Sequence, residues 1–509
     1  MKPPIEGASL ALLTLSLSLA TFMQVLDTSI ANVSIPTIAG DLAVSPDQGT
    51  WVITSFAVSN AISLPLSGWL ARRFGEVKLF AAATLLFTLA STLCGLSTSL
   101  PMLVVFRIFQ GAVAGPMIPL SQSLLLANYP NEKKGLALSL WSMTVVLAPI
   151  FGPILGGYIT DNYSWPWIFY INIPVGILAT YITWQLLKER ETETEKRPID
   201  VVGLLLLVAG VGSLQLLLDK GNDLDWFDSS MIVTLAVIST VSLSFFILWE
   251  ITDKHPVVDL SLFSVRNFSI GTISISLGYM TFFSGVVVYP LWLQTQMGYT
   301  ATWAGLSAAP IGILSVIFSP IVGKNMHRID LRILASFSFL VFAGITYWAA
   351  SFNTGASFWQ LTLPRFFQGI GMACFFIPLM SILLSGLPPG RVASASGLSN
   401  FLRVLGGSFG TSLSVALWNR RESLHHSHLT EQISLSDPVT QHTLSSLHSI
   451  GMPEMPSFAL VEKMVEGQSY MLAVNDIFLA STAIFLVLMF FVWFARPPFF
   501  AGKSGGGEH

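Results

Sequence analysis

The fold that the sequence predicts is an all-α polytopic membrane protein, built as two six-helix bundles with two further transmembrane helices inserted between them. Three observations predict it. Of 509 residues, 52% are hydrophobic and only 10% are charged, with a mean hydropathy of +0.67; a soluble globular chain carries about 25% charged residues. Fourteen segments are apolar over the ~20 residues that a membrane-crossing helix needs. The first six of these segments are echoed, motif by motif, in the last six.

In chain order the predicted spans are 11–34, 49–70, 79–98, 101–127, 137–160, 166–187, 199–218, 230–250, 269–293, 302–323, 332–351, 358–384, 392–417 and 471–495. The first apolar run continues into Asp27 and Pro36 without a small-residue cleavage site, so it reads as a span and not as a removable signal. The seventh and thirteenth are rich in Gly and Ser. Orientation follows from the basic residues, which concentrate in cytoplasmic loops. With a cytoplasmic N-terminus, 18 Lys/Arg lie on the cytoplasmic side, 4 outside and 3 within spans. The clusters are Arg72/Arg73/Lys78, Lys133/Lys134, Lys188/Arg190/Lys196/Arg197 and Lys324/Arg328/Arg332. An even number of spans returns the Gly-rich C-terminus to the cytoplasm.

The repeat sets the domain organisation. FRIFQGAVAGPMIPLSQSLLL from Phe106 echoes PRFFQGIGMACFFIPLMSILL from Pro364, so that Arg107, Gln110 and Gly111 match Arg365, Gln368 and Gly369. Thr50-Trp51 matches Thr302-Trp303, and Gly68 and Arg73 match Gly323 and Arg328. The predicted units are an N-terminal six-helix bundle over 1–190, an inserted helix pair over 191–266, and a C-terminal six-helix bundle over 267–509. Two halves around a cavity form a transporter architecture, with the substrate site near the midplane between them. One connection is long: about 418–470 is polar, lies on the outer side, and reads as a solvated loop holding His425, His426 and His428.

The stretch that organises this reading is SLATFMQVLDTSIANVSIP, residues 18–36, an apolar helix with Asp27 near its middle. A carboxylate at the bilayer centre costs roughly 2.5–3.5 kcal/mol on insertion scales, and such groups mark ion and substrate pathways. Gln24, Asp27, Thr28 and Ala31 share one helical face, a polar stripe fit to face an interior. Arg107 sits about two turns into the fourth span, where snorkelling is awkward, and Asp27 is the nearest acceptor in the same half. Desolvation makes a carboxylate hold its proton and a nearby guanidinium makes it let go, so an alternating cavity can load and unload Asp27. In span 5, Pro149, Gly152, Pro153, Gly156 and Gly157 give small-residue spacing for close helix approach together with bends. Gly406, Gly407 and Gly410 form a looser counterpart, preceded by Arg403, another intramembrane cation, placed to bind an anionic substrate, to stabilise a gate or equally to make a structural pair.

Other classes fare worse. The net charge of −3 and the absence of a basic run argue against nucleic acid. Cys94 and Cys374 lie far apart with no CxxC or His/Cys spacing, so no metal site or disulfide scaffold is expected. Nucleotide-binding Gly-Lys-Ser/Thr loops and nucleophile constellations are absent, against an ATP-driven pump, an enzyme or a cofactor site. A proton-coupled symporter of a small polar nutrient, or a non-transporting membrane scaffold, are the alternatives.

Taken together, LDTSIANVSIP (26–36), GWLARRFGEVK (68–78), RIFQG (107–111), APIFGPILGG (148–157), WPWIFYINIP (165–174) and SNFLRVLGGSFGTS (399–412) resemble the major facilitator superfamily. More narrowly, the whole chain resembles its fourteen-span drug:proton antiporters of the EmrB type. The resemblance implies the major facilitator fold and proton-driven efflux of hydrophobic drugs and lipophilic toxic compounds across the bacterial inner membrane. It also implies a tripartite pump with a periplasmic membrane-fusion adaptor (EmrA type) and an outer-membrane channel. Proton coupling falls on Asp27 and Arg107. Substrate contacts fall on Met23, Gln24, Thr28, Gln110, Tyr279, Phe282, Phe283 and Arg403, with Phe22 and Tyr289 as further apolar candidates. Gating falls on Gly68, Arg72, Arg73, Gly75 and Glu76 together with the span 5 residues. One departure stands out: where the superfamily loop has Asp and later Arg, this chain has Arg72 and Glu76, so the expected latch is Glu76 paired with Arg72 or Arg73.

Overall fold

A chain this apolar can satisfy its backbone in lipid only as helices or a closed barrel, and the repeat of helix-length segments selects helices. The computed structural model describes residues 5–499 apart from 131–132, 196–199, 254–255, 327, 432 and 435, with the backbone alone at a few further positions such as Pro153. Lys196 and Arg197 of the basic clusters and the Gly-rich tail therefore lie outside the described residues. Those described contain helices and no strand. In order they are α1 Gly7–Asp41, α2 Trp51–Phe74, α3 Glu76–Gly95, α4 Leu100–Asn128, α5 Lys134–Asn162, α6 Trp167–Leu187, α7 Val201–Lys220 and α8 Ser230–Thr252. The second half holds α9 Arg266–Thr295, α10 Thr302–Asn325, α11 Leu331–Ala349, α12 Phe358–Leu384, α13 Pro389–Glu431 and α14 Glu454–Phe491.

Eleven of these helices are long and apolar enough to cross a membrane, twelve with α5, which bends by 43° between Pro149 and Ile154. The expected fourteen is reached only by counting α2 and α13, which fall short in apolarity. The reason is where they sit. In α2, Ser55, Ser59, Ser63 and Ser67 are all buried, and the corresponding face of α13 carries Ser394, Ser396 and Ser399. Both helices turn their small polar residues towards protein, so lipid solubility is not demanded of them.

The two halves repeat one pairing scheme. In the first, α1 packs on α5, α2 on α4, and α3 on α6; in the second, α9 packs on α13, α10 on α12, and α11 on α14. Small residues make these approaches possible. A Cβ on Gly156 would lie 3.1 Å from the carbonyl oxygen of Ile30 in α1, and one on Gly406 would lie 2.6 Å from that of Ser276 in α9. The glycine after each Arg-x-x-Gln does the same work: Gly111 sits against the Phe56 carbonyl and Gly369 against the Ile311 carbonyl. The inserted α7 and α8 pack on each other, and α7 touches both α2 and α13. Gln215 Nε2 donates to Ser408 Oγ at 2.9 Å and Lys220 Nζ to Thr50 Oγ1 at 2.8 Å, so one helix grips both halves.

The expected long loop is largely helical, which corrects the sequence reading. α13 runs 43 residues and α14 38, about 65 and 57 Å at 1.5 Å per residue, against a hydrocarbon core of about 30 Å. Their extensions form a hairpin with a short helix, Pro438–Ser449, near its tip. Polar composition concealed it, because an extramembrane helix needs partners and not apolarity. The Trp418 and Tyr470 rings meet at 4.9 Å with their planes tilted by 55°, Arg421 and His425 meet Asp476 at 2.6 and 2.7 Å, and His426 meets Glu462 at 2.9 Å.

Candidate functional site

Four helices of the first half converge on Asp27. α1 supplies the carboxylate, α4 supplies Arg107 and Gln110 one turn apart, α6 supplies Asn172, and α3 supplies Ser91. Arg107 Nη1 donates to Asp27 Oδ2 at 2.5 Å, while Gln110 Nε2 and Asn172 Nδ2 donate to Oδ1 at 3.1 and 2.9 Å. Asn172 is itself oriented by Ser91 Oγ at 2.9 Å, and Ser91 donates to the Phe169 carbonyl. The guanidinium donates through Nε to the Val52 carbonyl at 2.9 Å and lies 4.3 Å over the Phe56 ring. Both partners are fully buried. Removing one member of such a pair leaves an uncompensated charge and costs about 3–5 kcal/mol. Protonating Asp27 would likewise weaken three bonds that tie α1 to α4 and α6, so the proton and the helix packing are linked.

At the matching position of the second half, the arginine has no carboxylate. Arg365 Nη1 donates to Gln368 Oε1 at 2.9 Å, repeating the Arg107–Gln110 bond, and its guanidinium lies 4.1 Å over the Tyr289 ring. Its Nη2 is buried without a hydrogen-bond partner among the described residues. A cation inside a span costs about 2.5–3.5 kcal/mol, and a desolvated aromatic face returns about 2 kcal/mol. Arg403 of α13 is held in the same manner, donating to Asn400 Oδ1 at 3.0 Å and lying 4.6 Å over Tyr279.

Both arginines line a cavity of about 860 Å³ between the halves. Its aromatic wall on the second half consists of Tyr279, Phe282, Phe283, Tyr289 and Phe376, with Met372. The first half contributes Thr37, Ser142, Val145, Pro149, Ile154 and Tyr158. Among the described lining residues there is no Asp, Glu, Lys or His, and the formal charges these residues carry are the two guanidinium groups.

The cavity is closed at the end of the bundle that carries Ile5 and Phe499, here called basal. A Cβ on Gly323 in α10 would lie 2.6 Å from the Gly135 carbonyl oxygen in α5, and one on Gly68 in α2 would lie 2.6 Å from Ser394 Cα in α13. Arg72 Nη1 donates to Ser394 Oγ at 3.1 Å, Gln122 of α4 accepts from Ser396 and Asn400, and Trp141 stacks on Phe376 at 5.7 Å. Residues of the opposite, apical end, among them Tyr158, Thr160, Gln294 and Thr302, line the cavity instead of meeting across it.

A halved, pseudo-symmetric helical bundle clasping a central cavity is a transporter frame, and the comparisons decide which. The sequence profile of the Major Facilitator Superfamily matches residues 17–411. The chain belongs to the major facilitator superfamily. It is 56% identical over 507 residues to the multidrug export protein EmrB of Escherichia coli strain K12, covering 99% of each chain. It is 53% identical over 498 residues to EmrB of Haemophilus influenzae, covering 98% of each. Among solved structures, the human organic anion transporter MFSD10 superposes with a TM-score of 0.60 at 13% identity, covering 96% of this chain and 100% of that one; at that identity the likeness speaks for the fold alone. As a major facilitator protein the chain is a transporter, not an enzyme.

The candidates from sequence separate into three groups. Tyr279, Phe282, Phe283, Arg403, Pro149 and Gly157 line the cavity. Gln110 instead bonds Asp27 and Arg107, Met23 and Gln24 are buried, and Thr28 donates to the Gln24 carbonyl; none of these four lines the cavity. The polar stripe of α1 faces the interior of its own half. Gly152 packs on Ser29 and Gly156 on Ile30, whereas the Pro153 side chain lies outside the described residues.

The basal loop differs from expectation. Glu76 accepts from Ser123 Oγ at 2.8 Å and not from Arg72 or Arg73, and Arg73 lies over the Trp69 and Phe74 rings. The carboxylate that caps α3 is Glu191, which accepts from Val77 N at 3.0 Å and Lys78 N at 2.8 Å. Gly75 is required there: its φ is +89°, and any Cβ would meet the Glu191 side chain. Sequence reasoning missed Asn172, Ser91 and Glu191 as site residues and did not promote Arg365 and Gln368. The repeat held the signal for the last two, because both match members of the Asp27 cluster. Among the described residues, no group of three or more His, Cys, Asp or Glu side chains is placed to hold a metal ion.

Proposed function

We propose that this chain exports hydrophobic compounds across a bacterial inner membrane in exchange for protons, with both termini cytoplasmic. One observation carries the reading: a fully buried carboxylate, bonded to three donors on two other helices, is held inside one half of a bundle whose two halves enclose an apolar cavity sealed at one end. The similarity to the EmrB multidrug export proteins supports the direction and the substrate breadth. The basic residues favour a cytoplasmic basal end, which makes the apically open cavity the outward-facing state of the cycle. In that state the proton side is the periplasm. Protonation of Asp27 would loosen α1 from α4 and α6, and the basal seal at Gly68, Gly135 and Gly323 would part as the halves rock. Pro149, Gly152, Gly156 and Gly157 in α5, with Arg72, Arg73 and Gly75 at the basal loop, serve that movement. The extended α13–α14 hairpin is the surface on which a membrane-fusion adaptor (EmrA type) would dock, continuing to an outer-membrane channel.

The test is movement of lipophilic fluorescent cations and anions into inside-out vesicles under an imposed pH gradient. Uptake should follow the gradient and stop when an exchanging ionophore collapses it. Uptake indifferent to the gradient would remove proton drive from the mechanism.

A further inference from the structure

The two seams between the halves are built differently. At the seam of α5 and α10 the helices meet basally at Gly135 and Gly323 and part apically into the cavity, which Ile154, Tyr158, Gly305 and Leu306 line. At the seam of α2 and α13 the close approach is again basal: a Cβ on Gly397 would lie 3.0 Å from the Leu64 carbonyl oxygen, and Arg72 bonds Ser394. Towards the apical end of this second seam, however, α7 is fastened to both helices. On the α2 side, Thr54 Oγ1 donates to Asp219 Oδ2, and Lys220 Nζ donates to Thr50 Oγ1 at 2.8 Å and to Asp223 Oδ2 at 3.0 Å. Lys220 is only 7% exposed, with the Trp51 ring 5.8 Å away. On the α13 side, Gln215 Nε2 donates to Ser408 Oγ at 2.9 Å and Asn222 Nδ2 to the Ser412 carbonyl at 3.1 Å, while Ser412 Oγ donates to the Leu218 carbonyl. Leu405 and Phe409 of α13 pack on the cluster of Leu217, Leu218 and Ile232.

We propose that α7 is a conformational wedge: bonded to α2 and α13 at once, it holds the apical ends of the two halves apart, makes the apically open shape the resting one, and must be unfastened from one half in every cycle. A helix with its side chains is about 10–12 Å across. Halves that rock about a central site bring their apical ends together as the basal ends part, and α2 and α13 cannot close on each other while α7 is tied to both. Contacts made in one shape and lost in the other shift the equilibrium by their differential free energy. The bonds of Thr50, Thr54, Ser408 and Ser412 to α7 therefore weigh on the open side. The proposal rests on the transport reading only for calling that side outward; the wedge itself concerns an equilibrium between two shapes, without cargo or gradient.

The experiment places spin labels in pairs on the full-length protein in nanodiscs, without substrate, and reads distances by double electron–electron resonance. The apical pair is Tyr163→Cys with Trp303→Cys and the basal pair Lys133→Cys with Lys324→Cys, all at exposed positions, while the native Cys94 and Cys374 are buried and take no label. Long apical and short basal distances should dominate in the otherwise unmodified protein. Thr50→Val with Thr54→Val removes the two hydroxyls at nearly constant shape and should raise the ratio of apically closed to open molecules about tenfold or more, since both bonds involve charged groups. Gln215→Leu removes one neutral bond and should raise it about threefold; because Gln215 Oε1 is buried without a partner among the described residues, this variant keeps the question open to measurement should the first not fold. Thr234→Val on α8, whose hydroxyl bonds only the Ser230 carbonyl of its own helix, should leave the ratio unchanged. In each responding variant the apical distance must shorten as the basal one lengthens. Unchanged ratios in both α7-releasing variants, a shift towards wider apical distances, or apical shortening without basal lengthening would overturn the proposal. None of these outcomes depends on proton-driven uptake, so either conclusion can fail alone.

Discussion

Arg107 in α4 and Arg365 in α12 stand at matching positions of the repeat, each three residues before a glutamine and four before a glycine, and each donates to that glutamine. From there the halves part. Arg107 is closed into its own half by Asp27, Val52 and the Phe56 ring, whereas Arg365 looks into the cavity with a tyrosine ring for company. One ancestral-looking frame therefore carries two electrostatic states. The first half holds a neutral ion pair, and the second half presents a positive charge to the cavity. A symmetric bundle needs this asymmetry if the ion and the cargo are to use different sites and communicate through the movement of whole halves.

The widest separation between the halves should appear on removing each arginine. Arg107→Ala leaves Asp27 buried and unpaired and should cost about 3–5 kcal/mol of stability, whereas Arg365→Ala removes an uncompensated charge and should change stability by less than about 1 kcal/mol. Thermal unfolding followed by tryptophan fluorescence in detergent reads both, and equal losses would break the comparison. Asn172→Ala removes one charge-assisted bond that only the first half possesses and should cost about 1.5–3 kcal/mol. The glycines probe what the halves share. Gly111→Ala and Gly369→Ala each drive a methyl into a facing carbonyl, and both should lose about 1–3 kcal/mol; a large difference between them would mean that the two packing seams are not equivalent.

Smallest of all are the caps at the basal loops. Glu191 caps α3 from a distant segment, while Asp330 caps α11 locally, accepting from Arg332 N at 2.9 Å. The hydrogen bonds from Arg332 hold the Asp330 carboxyl below its ordinary value of 3.8. Its contribution is therefore complete above that value and lost as the pH falls through the lower folded one. Asp330→Asn should lower the melting temperature slightly near neutrality, by the equivalent of about 1 kcal/mol or less, and the difference should shrink as the pH is taken progressively below 3.8. Glu191→Gln should add to that a looser α2–α3 turn, seen as faster cleavage of the basal loop by protease.

How much of this could be read beforehand depends on what each feature rests on. The helices, their order and the two-fold repeat were legible because lipid enforces apolar segments of fixed length, and because Arg-x-x-Gln-Gly recurs. The pairing of Asp27 with Arg107 was legible as chemistry, since each needed the other. Asn172 was not, because an asparagine in an apolar stretch declares no partner until α6 is set beside α1. Met23, Gln24, Thr28 and Gln110 were sent to the cavity by the polar stripe of α1, but a stripe says only that a face is inward and not inward to what. α2 and α13 were counted as spans from the sequence although they are less apolar than the rest, because helices buried against protein need not be apolar. The Glu191 cap joins residues more than a hundred positions apart, and no local pattern could reveal it.

The most direct test of Asp27 as the coupling group uses two modes of transport in proteoliposomes. Exchange of labelled for unlabelled substrate at equal concentrations needs the halves to rock but no proton, whereas accumulation against a gradient needs both. Asp27→Asn should keep the exchange and lose the accumulation. Accumulation by that variant at the rate of the unmodified protein would contradict the assignment.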